Sequence, residues 1–278
     1  MPKRRVRRTA SVVLAVIVLL LAMAWIFQRE LIYFPDTASP TTPATATEVT
    51  LDTSDGLSLA GWVFKPSGAD RDSAVLLANG NGGNRSGRVT AAEALAAEGF
   101  TVLIFDYRGY GGNDGSPDEA GLYADAEAAY EYLSGPAGFD ARRILFFGES
   151  LGCGVVSHLA LEHRPAGMVL RSPFFTLPDV GQHHYPFLPV RMLLTEEYPV
   201  GTNVAKAKVP LTVVYATADS VVPARQSRQV ADAAKDAGVE VDTVAVDGAD
   251  HNDPALVHGD EVVAAVVRLA DDRGLTVG

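Results

Sequence analysis

The fold of this chain is decided by Arg143-Ile144-Leu145-Phe146-Phe147-Gly148-Glu149-Ser150-Leu151-Gly152-Cys153-Gly154. The run from Ile144 to Phe147 is apolar, β-branched and aromatic, which is typical of a buried strand, and the small and apolar residues from Leu151 onward predict a helix. Ser150 therefore lies at the corner between the two, within the pattern GxSxG. Such a corner is a nucleophile elbow, in which flanking glycines avoid a collision with the adjoining strand or helix.

Short apolar runs recur along the chain, with helical patterns between most of them. After an N-terminal hairpin over residues 48–65, the predicted strands are 74–78, 102–105, 144–147, 168–170, 211–215 and 241–246. The predicted helices are 88–98, 119–134, 151–163, 224–237 and 254–271. This alternation predicts an α/β fold with a mostly parallel eight-stranded sheet and helices on both faces. In such sheets a functional site lies at the carboxyl ends of the strands.

A serine at an elbow needs a base and a carboxylate to orient that base. Asp219 lies in the turn after the seventh predicted strand and His251 in the turn after the last one. Because these turns meet at one edge of the sheet, Ser150 is the candidate nucleophile, His251 its base and Asp219 the acid. Asp247 and Asp250 are rival carboxylates, but their closeness to His251 in sequence favours a role in shaping its loop or facing solvent.

Two glycine-rich loops also follow predicted strands. Residues 79–84, Asn-Gly-Asn-Gly-Gly-Asn, suit an oxyanion hole, whose donors would be the backbone N–H groups of Leu151 and Asn81. A flexible turn is the alternative for this loop taken alone. The glycine-rich stretch at residues 106–115 indicates a loop whose shape is set by hydrogen bonds of buried Asp106 and Arg108. We expect no catalytic role for this loop.

Residues 172–200 take the place of the usual crossover helix with 29 residues that include five prolines. Its aromatic side chains either line a substrate groove beside the serine or cap the core. The candidate groove residues are Phe174, Phe175, Tyr185 and Phe187. The insertion is too short for a large lid, so we expect an open site. No spacing of histidines, cysteines or carboxylates predicts a metal site, no cofactor is expected, and Cys153 is interpreted as a packing residue.

The N-terminal part has a different composition. Residues 10–27 are apolar and uncharged, which predicts a transmembrane helix, and the basic residues in 1–9 predict a cytoplasmic tail with the domain on the other side of the membrane. A cleaved signal peptide with a site near Ala22-Met23-Ala24 is the alternative, and would make the protein secreted. Residues 28–47 are expected to be a linker before the domain at 48–278, although Tyr33 to Pro35 could instead pack on it. The net charge of −11 disfavours nucleic acid as a partner.

Five motifs carry a resemblance to a known family. They are NGNGGN at residues 79–84, FDYRGYGGNDGSP at 105–117, GESLG at 148–152, YPFLPVRMLL at 185–194 and GADHND at 248–253. With them, residues 48–272 resemble an α/β-hydrolase, and more narrowly the membrane-anchored serine hydrolases related to palmitoyl-protein depalmitoylases. The resemblance implies Ser150 as nucleophile, Asp219 as acid and His251 as base. One departure is Asn79, where such loops usually begin with His.

These observations predict a serine hydrolase that cleaves carboxylic ester or thioester bonds through an acyl-enzyme on Ser150. The expected partners are a small-molecule or lipid-like acyl ester or thioester and, through the N-terminal helix, a membrane. A serine peptidase of the same fold is one alternative, although such enzymes normally need a propeller or a large cap. The other is a membrane-tethered binding protein that lacks catalysis.

Overall fold

The computed structural model describes residues 2–277, without the side chains of residues 2–8 and 10. Its strands are β1 (Phe34–Pro35), β2 (Ala46–Asp52), β3 (Ser58–Phe64), β4 (Ala74–Ala78), β5 (Gly82–Gly83), β6 (Thr101–Phe105), β7 (Ile144–Glu149), β8 (Gly167–Arg171), β9 (Leu211–Ala216) and β10 (Val241–Val246). Eight of them form one sheet in the order β10-β9-β8-β7-β4-β6-β3-β2, and β1 pairs with β5 separately.

The eight-stranded sheet is mixed, because β3 pairs antiparallel with both β2 and β6. The five remaining pairings are parallel. The prediction of a mostly parallel sheet with an antiparallel hairpin at its edge is therefore confirmed. Every residue of β4, β6, β7 and β8 is buried, which explains why these strands are continuously apolar instead of alternating.

Helices cover both faces of the sheet, as predicted. They are α1 (Pro2–Ile26), α2 (Gln28–Ile32), α3 (Val89–Ala97), α4 (Glu119–Ser134), α5 (Leu151–Glu162), α6 (Leu177–His184), α7 (Val190–Leu193), α8 (Val200–Ala207), α9 (Ala224–Asp236), α10 (Pro254–Val257) and α11 (Asp260–Asp272). Helices α4, α5, α8 and α9 share one hydrophobic core with the sheet, and α3 and α11 share the other. Neighbouring β4 residues alternate between them, with Leu76 in the first core and Leu77 in the second.

The predicted transmembrane helix over residues 10–27 is not supported. Within the part of the chain that the structure describes, no helix has both the length and the apolar character needed to cross a membrane. Met1 and the basic side chains of the predicted tail lie outside the described residues.

Residues 28–36, expected to belong to a linker, are attached to the domain. Helix α2 and strand β1 lie within them, and Ile32 and Tyr33 are buried in the core that also holds α4 and α5. Of the two possibilities raised by the sequence, packing of this stretch on the domain is the one observed.

The insertion has a different place from the one expected. It contains α6 and α7, and the crossover helix α8 follows at Val200–Ala207, so residues 172–199 precede the crossover helix and the insertion does not replace it. Helix α8 begins directly after Pro199, without a side-chain hydrogen bond at its N-cap. The sequence therefore lacked the usual polar signal for the start of a helix.

The loop after β6 is shaped as predicted by two buried charged residues. The Asp106 carboxylate accepts hydrogen bonds from the N–H and the guanidinium of Arg85, at 2.6 and 2.5 Å. The Arg108 guanidinium donates to Asp125 at 2.7 and 2.9 Å, and its backbone N–H donates to the same carboxylate at 2.8 Å. Asp125 has no exposed surface, so its charge depends on Arg108 for compensation.

Replacing Arg108 with Ala should destabilise the fold, because it leaves the Asp125 carboxylate buried without its cation. We expect a loss of about 3–5 kcal/mol in the free energy of unfolding, measured by urea denaturation. Arg142→Ala is the matched control, since its ion pair with Asp140 is exposed and its removal should change the midpoint little. Equal losses in the two variants would contradict this account.

Candidate active site

Ser150 occupies a strained corner between β7 and α5. Its φ is +51° and its ψ −110°, a conformation that residues with side chains seldom adopt. A Cβ atom on Gly152 would lie 2.1 Å from the carbonyl oxygen of Ala78, and one on Gly148 would lie 2.6 Å from the carbonyl oxygen of Gly152. Both positions of the GxSxG pattern thus require glycine because the backbones of β4, β7 and α5 approach each other closely.

Asp219 and His251 are joined by a hydrogen bond at the same edge of the sheet. His251 Nδ1 lies 2.8 Å from Asp219 Oδ2 and 3.0 Å from Oδ1. Three further groups donate to the carboxylate: the Ser172 hydroxyl at 2.9 Å and the N–H groups of Val222 and Val221 at 2.7 and 3.0 Å. The carboxylate is therefore held in one orientation against the imidazole.

The surroundings of Asp219 keep it ionised. Burial alone would raise the pKa of its carboxyl, but the hydrogen bond and charge of His251, with donors from Val222 and Ser172, lower the pKa below the ordinary value of 3.8. An ionised carboxylate favours the tautomer of a bonded imidazole that carries its proton on Nδ1, and in that tautomer Nε2 can accept a proton. Among the described residues, no hydrogen bond joins the Ser150 hydroxyl to this ring. In hydrolases, that contact often tightens only when substrate binds.

The carboxyl end of β8 connects the three turns, and sequence reasoning missed this role. The Ser150 N–H donates to the carbonyl of Arg171 at 2.9 Å, and the Arg171 guanidinium donates to the carbonyl of His251 at 3.1 Å. Ser172, the next residue, donates to Asp219. The only sequence signal was a pair of polar residues directly after an apolar run.

Glu149, the residue before the serine, is a second feature that the sequence did not reveal. It has no exposed surface, accepts a hydrogen bond from Arg88 Nε at 2.9 Å and lies 3.4 Å from the Arg171 guanidinium. Burial would raise the pKa of Glu149, but the charges of Arg171 and Arg88 lower it. Arg88 also donates to the carbonyl of Gly82 at 3.3 Å, so this ion-pair cluster joins the elbow to the glycine-rich loop.

The glycine-rich loop at residues 79–84 lies against the elbow. A Cβ atom on Gly80 would be 3.7 Å from Ser150 Cβ, and Asn81, Ser150 and Leu151 line the same cavity. Among the described residues, neither the Asn81 N–H nor the Leu151 N–H donates a hydrogen bond. Asn79, the departure from the family pattern, donates from Nδ2 to the carbonyl of Phe105 at 2.7 Å and so helps to hold the loop backbone.

A cavity of about 730 Å³ opens at Ser150. Its lining is mostly apolar and consists of Ala24, Gln28, Leu31, Ile32, Phe34, Asn81, Ser150, Leu151, Phe174, Leu177, Val180, Gly181, His184, Tyr185, Leu188, Val190, Leu193, Leu194, Val221 and Val222. Of the predicted groove residues, Phe174 and Tyr185 are in this lining. Phe175 lines a separate polar groove between α6 and α9, and the side chain of Phe187 is 79% exposed.

The two rival carboxylates, Asp250 and Asp247, accept hydrogen bonds from neighbouring residues, and Cys153 is buried. Asp250 accepts hydrogen bonds from the N–H groups of Ser220 and His251, both at 2.7 Å, and Asp247 accepts one from Thr217 at 3.0 Å. Cys153 is fully buried, and burial raises the pKa of its thiol. Within the described part of the chain, no group of three or more His, Cys, Asp or Glu side chains could hold a metal ion.

Comparison with known proteins gives the family. The family described as serine aminopeptidase, S33, matches residues 69–195. The uncharacterized protein Rv2307c of Mycobacterium tuberculosis is 44% identical over 256 residues, 90% of each chain. The Pyrococcus furiosus esterase Pf2001 superposes with a TM-score of 0.71 at 20% identity, over 89% of this chain and 98% of that one. The chain belongs to the same family as Rv2307c and has the α/β-hydrolase fold.

A more distant relative has an activity in its name. The lysophosphatidylserine lipase ABHD12 of Danio rerio is 29% identical over 180 residues, which cover 58% of this chain and 47% of that protein. The narrower resemblance of this α/β-hydrolase to membrane-anchored depalmitoylases stays a prediction.

Gly152→Ala should disrupt the elbow, because the new methyl group would collide with the carbonyl oxygen of Ala78. Overpacking of this kind costs about 1–3 kcal/mol in the free energy of unfolding, so thermal unfolding should show a clear drop in Tm. Gly87→Ala is the control, because a Cβ atom at this position meets nothing within 4 Å. Its Tm should equal that of the wild type. A Gly152 variant as stable as the wild type would contradict the close approach of α5 and β4.

Proposed function

We propose that this α/β-hydrolase is a serine hydrolase that cleaves carboxylic ester or thioester bonds through an acyl-enzyme on Ser150. The observation that carries the proposal is the buried Asp219–His251 hydrogen bond, formed at the same sheet edge as a serine with positive φ. Ser150 is proposed as nucleophile, His251 as general base and Asp219 as the group that orients the imidazole.

In the proposed reaction, Ser150 Oγ attacks the substrate carbonyl carbon while His251 Nε2 takes the hydroxyl proton. The tetrahedral oxyanion accepts hydrogen bonds from the N–H groups of Leu151 and Asn81, which are free of other partners in the described residues. Collapse of this intermediate expels the alcohol or thiol, which takes the proton from His251. Water then attacks the acyl-enzyme in the same manner, with His251 as base, and releases the carboxylic acid and free Ser150.

An ester or thioester suits this site better than the amino end of a peptide. An aminopeptidase must bind the ammonium group of its substrate, which calls for a carboxylate near the serine. The cavity lining contains no Asp or Glu among the described residues. The name of the zebrafish relative, a lysophosphatidylserine lipase, also favours an ester substrate, and the resemblance to depalmitoylases supports the thioester alternative.

The cavity favours an extended acyl chain over a short one. Its volume of about 730 Å³ falls in the range of pockets that enclose drug-sized ligands, about 300–1,000 Å³. The residues around it are mainly aliphatic, from α2, α6, α7 and the loop after β9. An acyl chain bound there loses contact with water, which contributes about 0.8 kcal/mol per buried CH₂ group.

Ser150→Ala should abolish covalent labelling by a fluorophosphonate probe and lower esterase turnover by about 10³-fold or more. The measurements are in-gel labelling and hydrolysis of a p-nitrophenyl ester, with folding checked by circular dichroism. Ser134→Ala, at the far end of α4, is the control and should label like the wild type. Absence of labelling in the folded wild-type protein would favour the binding-protein alternative.

The acyl-chain preference should follow the cavity. We expect kcat/KM for p-nitrophenyl octanoate to exceed that for the acetate by about 10-fold or more, since six more CH₂ groups can be buried. Val180→Trp fills the cavity and should reduce this ratio. Phe187→Ala, outside the lining, should leave the ratio unchanged. A ratio that responds to Phe187 and not to Val180 would place the acyl chain elsewhere.

A further inference from the structure

Residues 28–36, here called the N-terminal clamp, are fastened at their start to the insertion. Gln28 Oε1 accepts hydrogen bonds from the N–H and the hydroxyl of Thr195, at 2.7 and 3.0 Å. Arg29 pairs with Glu196 at 3.2 Å, and the Tyr33 hydroxyl donates to the same carboxylate at 3.0 Å. Glu196 and Tyr33 are both 3% exposed. These contacts are therefore part of the folded domain.

At its other end the N-terminal clamp runs alongside the glycine-rich loop. Strand β1 pairs in parallel with β5, with Phe34 opposite Gly82. The N–H of Phe34 donates to the carbonyl of Asn81 at 2.9 Å, and the N–H of Asp36 donates to the carbonyl of Gly83 at 3.0 Å. In the other direction, Asn81 Nδ2 donates to the carbonyl of Ile32 at 2.7 Å. Three hydrogen bonds therefore join the clamp to this loop.

The loop needs such support because its own sequence provides little rigidity. Three of its six residues are glycines, which have the widest backbone freedom. Asn81 is held by two of its groups. Its carbonyl accepts hydrogen bonds from the Phe34 N–H and from the Tyr110 hydroxyl, both at 2.9 Å, and its side chain donates to the carbonyl of Ile32. Its N–H has no partner among the described residues and belongs to a residue that lines the cavity with Ser150.

We infer that the N-terminal clamp is a positioning element of the oxyanion hole, and that the side chain of Asn81 is a positioning residue. By holding the carbonyl and side chain of Asn81, the clamp restrains the backbone of this residue, whose N–H would receive the developing negative charge. This inference rests on the proposed function. It adds that the segment preceding the sheet affects the stabilisation of the tetrahedral intermediate, besides forming part of the cavity wall.

Two substitutions at one position separate these roles. Phe34→Pro removes the side chain and the N–H that donates to Asn81, whereas Phe34→Ala removes the side chain alone. Tyr33 already has the extended conformation, φ −101° and ψ 126°, that a residue before proline requires. Phe34→Ala should mainly raise KM. Relative to it, Phe34→Pro should lower kcat by about 10-fold or more, since misplacing a catalytic donor is costly.

Asn81→Ala provides an independent variant that keeps the backbone donor and removes only its attachment to Ile32. Its kcat for p-nitrophenyl octanoate should fall about 10-fold or more, with little change in KM. An alkyl trifluoromethyl ketone supplies the second measurement, because its tetrahedral adduct with serine carries an oxyanion. The inhibition constant for this ketone should rise in parallel with the fall in kcat in both variants, a pattern that general loosening of the fold would not produce.

The outcomes are distinguishable. Reduced kcat and weaker ketone inhibition in Phe34→Pro and Asn81→Ala, with unfolding temperatures close to that of Phe34→Ala, support the inference. If the wild type hydrolyses the ester and both variants match Phe34→Ala in kcat and ketone inhibition, the inference is overturned and the proposed function stands. If the folded wild type neither hydrolyses the ester nor reacts with a fluorophosphonate, the proposed function fails and this inference fails with it.

Discussion

The candidate site depends on one buried negative charge. Glu149 has no exposed surface, and a carboxylate removed from water is tolerated only when cations compensate it. Arg88 and Arg171 supply that compensation. Each arginine also donates to a main-chain carbonyl, Arg88 to Gly82 and Arg171 to His251. The two arginines that compensate the Glu149 carboxylate therefore also hold the elbow, the glycine-rich loop and the histidine turn relative to one another.

Most of the sheet and the positions of the candidate catalytic residues could be predicted because their signals are local. A short apolar run such as 74–78 between turn residues indicates a buried strand, and α4 runs over Glu119–Ser134 as its pattern indicates. Its N-cap, Asp118, accepts a hydrogen bond from the Gly121 N–H at 2.7 Å, the kind of signal that sequence displays directly. The Asp219–His251 contact followed from topology, since both residues come directly after neighbouring parallel strands.

The other features of the fold and the site could not be predicted from the sequence, because most of them depend on contacts between residues far apart in the chain. Nothing near Glu149 indicates that Arg88, 61 positions earlier, pairs with it. Composition alone made residues 28–47 resemble a linker, whereas Tyr33 is buried through its contact with Glu196. Helix α8 was missed because Pro199 precedes it in place of a capping side chain. The transmembrane prediction relied on apolar composition over residues 10–27, and among the described residues no helix is both long and apolar enough to cross a membrane.

The N-terminal clamp also bears on the order in which this molecule folds. Gln28 and Thr195 are 167 residues apart in the chain, and Tyr33 and Glu196 are 163 apart. Contacts of such separation form late, because closing a long loop lowers the entropy of the chain before these contacts can stabilise the fold. During synthesis, residues 28–36 leave the ribosome early and must wait for the insertion to emerge. The attachment of the clamp to the insertion is thus completed only once Thr195 and Glu196 are available, whereas the hydrogen bond from Asn81 to Ile32 joins residues 49 apart and does not need the insertion.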